Sequence, residues 1–199
     1  MGVDVFKPPA YSLALLVIAA AWLLKYRALR HDRRYSEGRQ PINRDDCFKA
    51  LGQIIFVAMN AVTLASFWTN SRVLFLLVGP SETLRAAGML ALIAATLLYI
   101  KSLVYLGSNY SPCFDAHLPF RIVTNGPYRY IRHPLYLANI LQGIGYTLAS
   151  GSLWVLLMAA YGIFSIIRAI VREESYLGKT FPEYEHYRAK TSRLIPFIY

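Results

Sequence analysis

The sequence predicts an all-α integral membrane protein with about five transmembrane helices, the last two a helical hairpin, and a cytoplasmic C-terminal segment after them. Three observations lead there. Apolar residues make up 56% of the chain and charged residues only 16%, where a soluble domain carries roughly 25% charge. The mean hydropathy over the 199 residues is +0.36. The apolar residues also gather into long, separate stretches.

The first stretch, about Tyr11 to Leu24, is short. A basic run follows it instead of a small-residue cleavage site, so it reads as a membrane helix and not a cleaved signal. The second spans about Phe48–Trp68. The third spans about Leu84–Leu106, with Lys101 near its end. The last two, about Leu135–Leu148 and Leu153–Val171, are separated only by Ala149-Ser150-Gly151-Ser152, a turn between antiparallel helices. A spanning helix needs about 20 apolar residues, so the fourth is expected to bend or to lie partly in protein contact. The run Val73–Val78, ended by Gly79-Pro80, is too short to span and reads as a re-entrant or interfacial piece. The whole of 1–199 forms one membrane domain, with three helices in 1–104 and the informative polar residues in 105–199.

Charge orients the helices. Of 21 basic residues, all but Lys7, Arg72 and Arg85 fall in Lys25–Lys49, Lys101–Arg132 or the stretch from Arg168 onward. Five crossings put these three segments on one side, with the N-terminus outside and the C-terminus cytoplasmic. The formal charge of +10 is thereby assigned to topology and to contact with anionic membrane lipids, not to nucleic acid. Two cysteines, Cys47 and Cys113, exclude a disulfide framework and a Cys-rich zinc site. No metal site is expected, nor an obligate protein partner. There is no GxGxxG after a strand, no Walker loop, no GxSxG and no HExxH.

Polar side chains in a membrane protein are costly and mark function. In Gly126-Pro127-Tyr128-Arg129-Tyr130-Ile131-Arg132-His133-Pro134, the Gly-Pro pair reads as a turn, and Pro134 opens the fourth helix. Arg132 and His133 then stand at a helix N-terminus, whose free N–H groups suit an anionic group. A basic juxtamembrane belt with interfacial tyrosines is the structural alternative. In Arg168-Ala-Ile-Val-Arg172-Glu173-Glu174 the carboxylates follow the fifth apolar run. Adjacent carboxylates at a helix C-terminus repel each other and oppose the dipole, so they want a cation. Arg168, Arg172 or His133 could supply it, or a cationic ligand such as an amine or a sulfonium-bearing cofactor. The tyrosine-rich Phe181–Tyr187, with Arg193 and Pro196 beyond, reads as an interfacial helix packing the cytoplasmic face. His31, His117 and His186 carry no functional assignment. Gly143-Ile144-Gly145 suits close helix packing.

At these residues, over roughly 105–199, the chain resembles the isoprenylcysteine carboxyl methyltransferases, which are related to the phospholipid N-methyltransferases. The matching pattern is Arg132-His133-Pro134-Leu135-Tyr136-Leu137-Ala138 followed by Glu173-Glu174. Leu106-Gly107-Ser108-Asn109-Tyr110, Val123-Thr124-Asn125-Gly126-Pro127-Tyr128 and the tail Phe181…Tyr184…Tyr187…Arg193…Pro196 match as well. Ala138 departs from the family's usual glycine.

The resemblance implies that 105–199 is the catalytic region of a membrane methyltransferase using S-adenosyl-L-methionine. It implies a cofactor pocket lined by Arg132, His133, Tyr136, Glu173 and Glu174, closed over by the backbone of Val123, Gly126 and Tyr128. Gly143-Ile144-Gly145 would be the counterpart of a Gly-x-Gly element in the phospholipid enzymes. Arg168 and Arg193 are the catalytic candidates, with Arg168 either holding an acceptor carboxylate or pairing with Glu173 or Glu174.

The acceptor implied is a lipophilic molecule drawn from the bilayer, with an isoprenylcysteine-like carboxylate first. Phospholipid and small-thiol acceptors are the alternatives. The compact chain is expected in a prokaryotic inner membrane. Two other classes compete: a sterol-type reductase using NADPH, which shares a His-Pro-x-Tyr element, and a non-enzymatic membrane scaffold, which leaves the Glu-Glu pair unexplained.

Overall fold

The computed structural model describes residues 11–16, 18–20, 38, 46–68, 80–111 and 117–196. These are mostly helical, with no strand among the described residues. Helical residues at 11–16 and 18–20 precede α1 (Asp46–Trp68), α2 (Glu82–Leu106), α3 (Pro134–Ser150), α4 (Leu153–Thr180) and the short α5 (Tyr184–Lys190). The expected re-entrant piece at Val73–Val78 and the end of the first stretch, Ala21–Leu24, lie outside the described residues.

Local chemistry sets the helix ends. Ser81 caps α2 by accepting from the Leu84 amide at 3.3 Å, and Glu82 stands at the dipole's positive end. Pro134 occupies the first turn of α3, where its missing N–H costs nothing. Gly151 ends α3 in the left-handed region at φ 63°, with its amide on the Thr147 carbonyl at 2.9 Å. The hairpin turn thus shrinks from the expected four residues to Gly151-Ser152.

The helices pack through small residues. A Cβ on Gly88 would lie 2.5 Å from the Ala149 amide nitrogen, and one on Gly145 would lie 2.8 Å from the Leu92 side chain. The α2 and α3 backbones therefore approach closely along Gly88, Leu92, Gly145 and Ala149. Gly143 faces Ala159 of α4. Gly143 and Gly145 thus serve the close helix packing expected of small residues. Leu15, Met59, Phe67, Met89, Leu92, Tyr146 and Val155 complete this core, and the Tyr146 hydroxyl donates to Asn60 Oδ1 at 2.9 Å, linking α3 to α1. Gly88→Leu is expected to lower the thermal stability of the detergent-solubilised protein. Overpacking costs about 1–3 kcal/mol, and an unchanged melting curve would contradict the close approach.

Two segments are long and apolar enough to cross a membrane, Glu82–Asn109 and Leu153–Thr180. Only 28% and 17% of their most apolar windows are buried, so Leu90, Leu97, Val104, Phe164 and Val171 face outward. A soluble protein would bury such helices; a bilayer covers them. The apolar part of α1, Ile54–Trp68, is shorter, as is α3 with 17 residues. The fourth stretch does lie in protein contact: Tyr136, Ala138, Gln142, Gly143, Gly145 and Tyr146 are buried.

One boundary differs. The apolar run ends near Val171, but α4 continues to Thr180. Ile170, Glu174 and Leu177 keep the i, i+4, i+7 spacing of a single buried face, so the helix persists after its outer side turns polar. Glu173 and Glu174 therefore stand inside the helix and not at its end.

Candidate functional site

The site forms where α3 begins, α4 nears its end and the C-terminal segment returns. Two polar loops reach it. Asn109, just after α2, accepts from the amides of Phe120 at 2.8 Å and Arg121 at 3.2 Å through Oδ1, tying the loop after residue 117 to α2. The turn at Gly126–Arg129 then lies against α2. Gly126 has φ +58°, and a Cβ there would lie 2.5 Å from the Tyr105 ring. Only glycine meets both conditions. Val123, half-buried, leads into this turn.

The C-terminal segment is stitched to the start of α3. The Arg132 and His133 amides donate to the carbonyls of Ser192 at 2.9 Å and Arg193 at 3.2 Å, and the Ser192 amide donates to the Tyr130 carbonyl at 3.2 Å. These bonds form a parallel bridge between Ile131 and Ser192. Leu194 packs on Tyr136 and Ile170, and the Tyr187 hydroxyl donates to the Tyr128 carbonyl at 2.7 Å. These two amides are thus committed to the chain's own carbonyls.

The two glutamates have separate environments. Glu174 is buried and meets two arginines and a histidine. Arg132 Nε lies 2.9 Å and His133 Nε2 3.2 Å from its Oε1, and Arg193 Nη2 lies 2.8 Å from its Oε2. Arg132 extends further, donating to the Arg188 carbonyl at 3.1 Å and to the Thr191 carbonyl. Every oxygen of Glu174 is occupied. Glu173, half-buried on the adjoining face, accepts one bond, from the Tyr136 hydroxyl at 3.0 Å.

Tyrosines surround Glu173. The charge of Glu173 acts on Tyr128 and Tyr184. Burial, then that charge, pushes the Tyr128 phenol up beyond its usual range; burial, then Glu174, does the same for Tyr184. Both hydroxyls stay protonated donors. Both are buried, and neither has a hydrogen-bond partner among the described residues. The His133 and Tyr136 rings lie 5.5 Å apart, and those of Tyr184 and Tyr187 6.1 Å apart.

The structure thus brings together Tyr128, Arg132, His133, Tyr136, Glu173, Glu174 and Arg193. It does not bring Arg168 to them. Arg168 is exposed on the outer side of α4, its guanidinium 5.7 Å over the Phe164 ring. The expected pairing of Arg168 with Glu173 or Glu174 gives way to Arg132, His133 and Arg193. Residues five apart on an α-helix point about 140° apart, so Arg168 and Glu173 cannot share a face. Tyr184 and Tyr187, matched to the family's tail but not singled out as site residues, join the site from α5. Their spacing to the Arg-His-Pro turn has no local signal.

Over 155 residues the chain is 24% identical to the nickel-cobalt-cadmium resistance protein NccN of Alcaligenes xylosoxydans xylosoxydans, covering 77% of this chain and 65% of that protein. Over 76 residues it is 36% identical to the cobalt-zinc-cadmium resistance protein CzcN of Cupriavidus metallidurans, covering 38% of this chain and 35% of that one. The chain therefore matches less than two thirds of either relative's length. The family model described as phospholipid methyltransferase matches residues 83–184, a stretch holding α2, the Gly126 turn, the hairpin and both glutamates, and the chain belongs to that family of membrane methyltransferases, relatives of the isoprenylcysteine carboxyl methyltransferases.

Proposed function

We propose that the protein transfers a methyl group from S-adenosylmethionine to a lipophilic acceptor at the membrane surface. The observation that carries this is the division of the glutamate pair. Glu174 is saturated, while Glu173 keeps carboxylate capacity beside two buried tyrosine hydroxyls that have no partner among the described residues.

These residues fit the cofactor. When bound, it supplies an electrophilic methyl on a sulfonium cation. Glu173 would hold its ammonium group, with Tyr136 fixing the carboxylate's orientation. The Tyr128 and Tyr184 hydroxyls would donate to its polar oxygens. The faces of Tyr136, Tyr187 and His133 offer a cation-friendly wall. Val123 and Gly126 would bring backbone close over it. Arg132 and Arg193 act on this site through Glu174, and are positioning residues in this reading.

A carboxylate acceptor needs no general base, so positioning and exclusion of water can supply the catalysis. An isoprenylcysteine-like carboxylate is the first acceptor class on these grounds. A phospholipid amine is the second reading, favoured by the family match over 83–184. Calorimetry in detergent tests the cofactor. S-adenosylmethionine and its demethylated product are expected to bind saturably and NADPH not at all. NADPH binding without response to either sulfur compound would overturn the reading.

We also propose five crossings in a prokaryotic inner membrane, with the N-terminus outside and the site cytoplasmic. The distribution of basic residues supports this. Reporter fusions at Gly38, Ser108 and the C-terminus are expected to report cytoplasm, and those at Ser71 and Ser150 the opposite side. A fusion at Ser108 that reports the outside contradicts the topology.

A further inference from the structure

The outer face of α4 carries a shallow groove of about 400 Å³, lined by Ile167, Arg168, Val171, Arg172, Ser175 and Tyr176. It lies away from Glu173 and Glu174, which point to the bundle side and have partners there. Its two arginines stand one turn apart, about 6 Å along the helix. Among the described residues no acidic side chain forms an ion pair with either. Arg168 folds back over Phe164, toward the apolar part of the helix. A guanidinium held at that depth without an anion is unfavourable in a bilayer. The same side of the helix is open hydrocarbon surface above and between the arginines: Phe164 is 58% exposed and Val171 55%. Below them stands Tyr176, an aromatic suited to the interface.

We propose that this groove binds an anionic phospholipid of the surrounding bilayer. Its phosphate would sit between Arg168 and Arg172, and an acyl chain would run along Phe164, Ile167 and Val171. Two adjacent guanidiniums match a phosphate in charge and in fork geometry, and the groove's apolar lining matches the chain beside it. Free phosphate would gain only the first of these. The proposal concerns a face outside the methyl-transfer site, so it stands or falls independently of the cofactor.

The test is lipid retention. Protein in nanodiscs of mixed phosphatidylglycerol and phosphatidylcholine is released and weighed intact by native mass spectrometry. The wild type is expected to retain phosphatidylglycerol selectively, and R168Q/R172Q to retain about tenfold less. R121Q/R129Q, which removes the same charge from exposed positions elsewhere, is expected to behave as wild type. R168K/R172K, which keeps the charge but loses the fork, is expected to fall between. All these side chains are exposed, so folding is not at stake. Equal loss in the control pair, equal retention in all variants, or a dimer covering this face in place of lipid would overturn the proposal.

Discussion

Glu174→Gln is expected to lower the melting temperature sharply and to free the C-terminal segment. The substitution removes one charge from a buried cluster that holds Arg132, His133 and Arg193 together. The side chains of Arg132 and His133 are 8% and 4% exposed, and that of Arg193 is 21% exposed. Solvent therefore cannot replace the lost partner. Breaking a buried pair from one side costs about 3–5 kcal/mol, because a charge is left without compensation. Arg132 also anchors the Arg188 and Thr191 carbonyls, so its release should propagate to residues 188–196. Thermal unfolding in detergent and limited proteolysis of the C-terminus would read both effects. A variant that melts with the wild type and resists protease equally would sink this account of Glu174.

Glu173→Gln should behave in the opposite way. Its carboxylate accepts a bond from the Tyr136 hydroxyl at 3.0 Å and is half-buried, so stability should stay close to wild type. Affinity for S-adenosylmethionine should fall, because the residue's role in this reading is to meet the cofactor's ammonium group. A charge-assisted bond is worth about 1.5–3 kcal/mol, which is about ten- to a hundredfold in affinity. Calorimetry on both variants, each checked for melting, separates the roles. Normal binding by Glu173→Gln, with selective loss in a stably folded Glu174→Gln, would reverse the assignment.

The two long apolar helices were readable from hydropathy because burial in lipid demands long apolar runs. Leu84–Leu106 and Leu153–Val171 announced α2 and most of α4, and Gly151 announced the hairpin turn. The Arg132-His133-Pro134 turn and the Glu173-Glu174 pair marked the site, since charges beside apolar helices need partners. The end of α4 was misjudged because hydropathy falls at Val171 while the buried face continues through Ile170, Glu174 and Leu177. A running average over all sides of a helix cannot see one face.

Which charge meets which carboxylate was a question that composition and spacing left open. Arg168 is nearer Glu174 in sequence than Arg193 is, yet Arg193 makes the ion pair with Glu174 and Arg168 faces outward. The helical turn decides this, because 100° per residue sends Arg168 and the glutamates to different sides. The return of residues 191–194 across the start of α3 supplies the partner instead. Local sequence determined the helices, their caps and the residue types of the site, all governed by short-range sterics and by transfer from water to hydrocarbon. Tertiary structure alone assigned Glu174 to the ion cluster and left Glu173 open, because ion pairing depends on distance in space and on burial, and both are set by chain segments far apart in sequence.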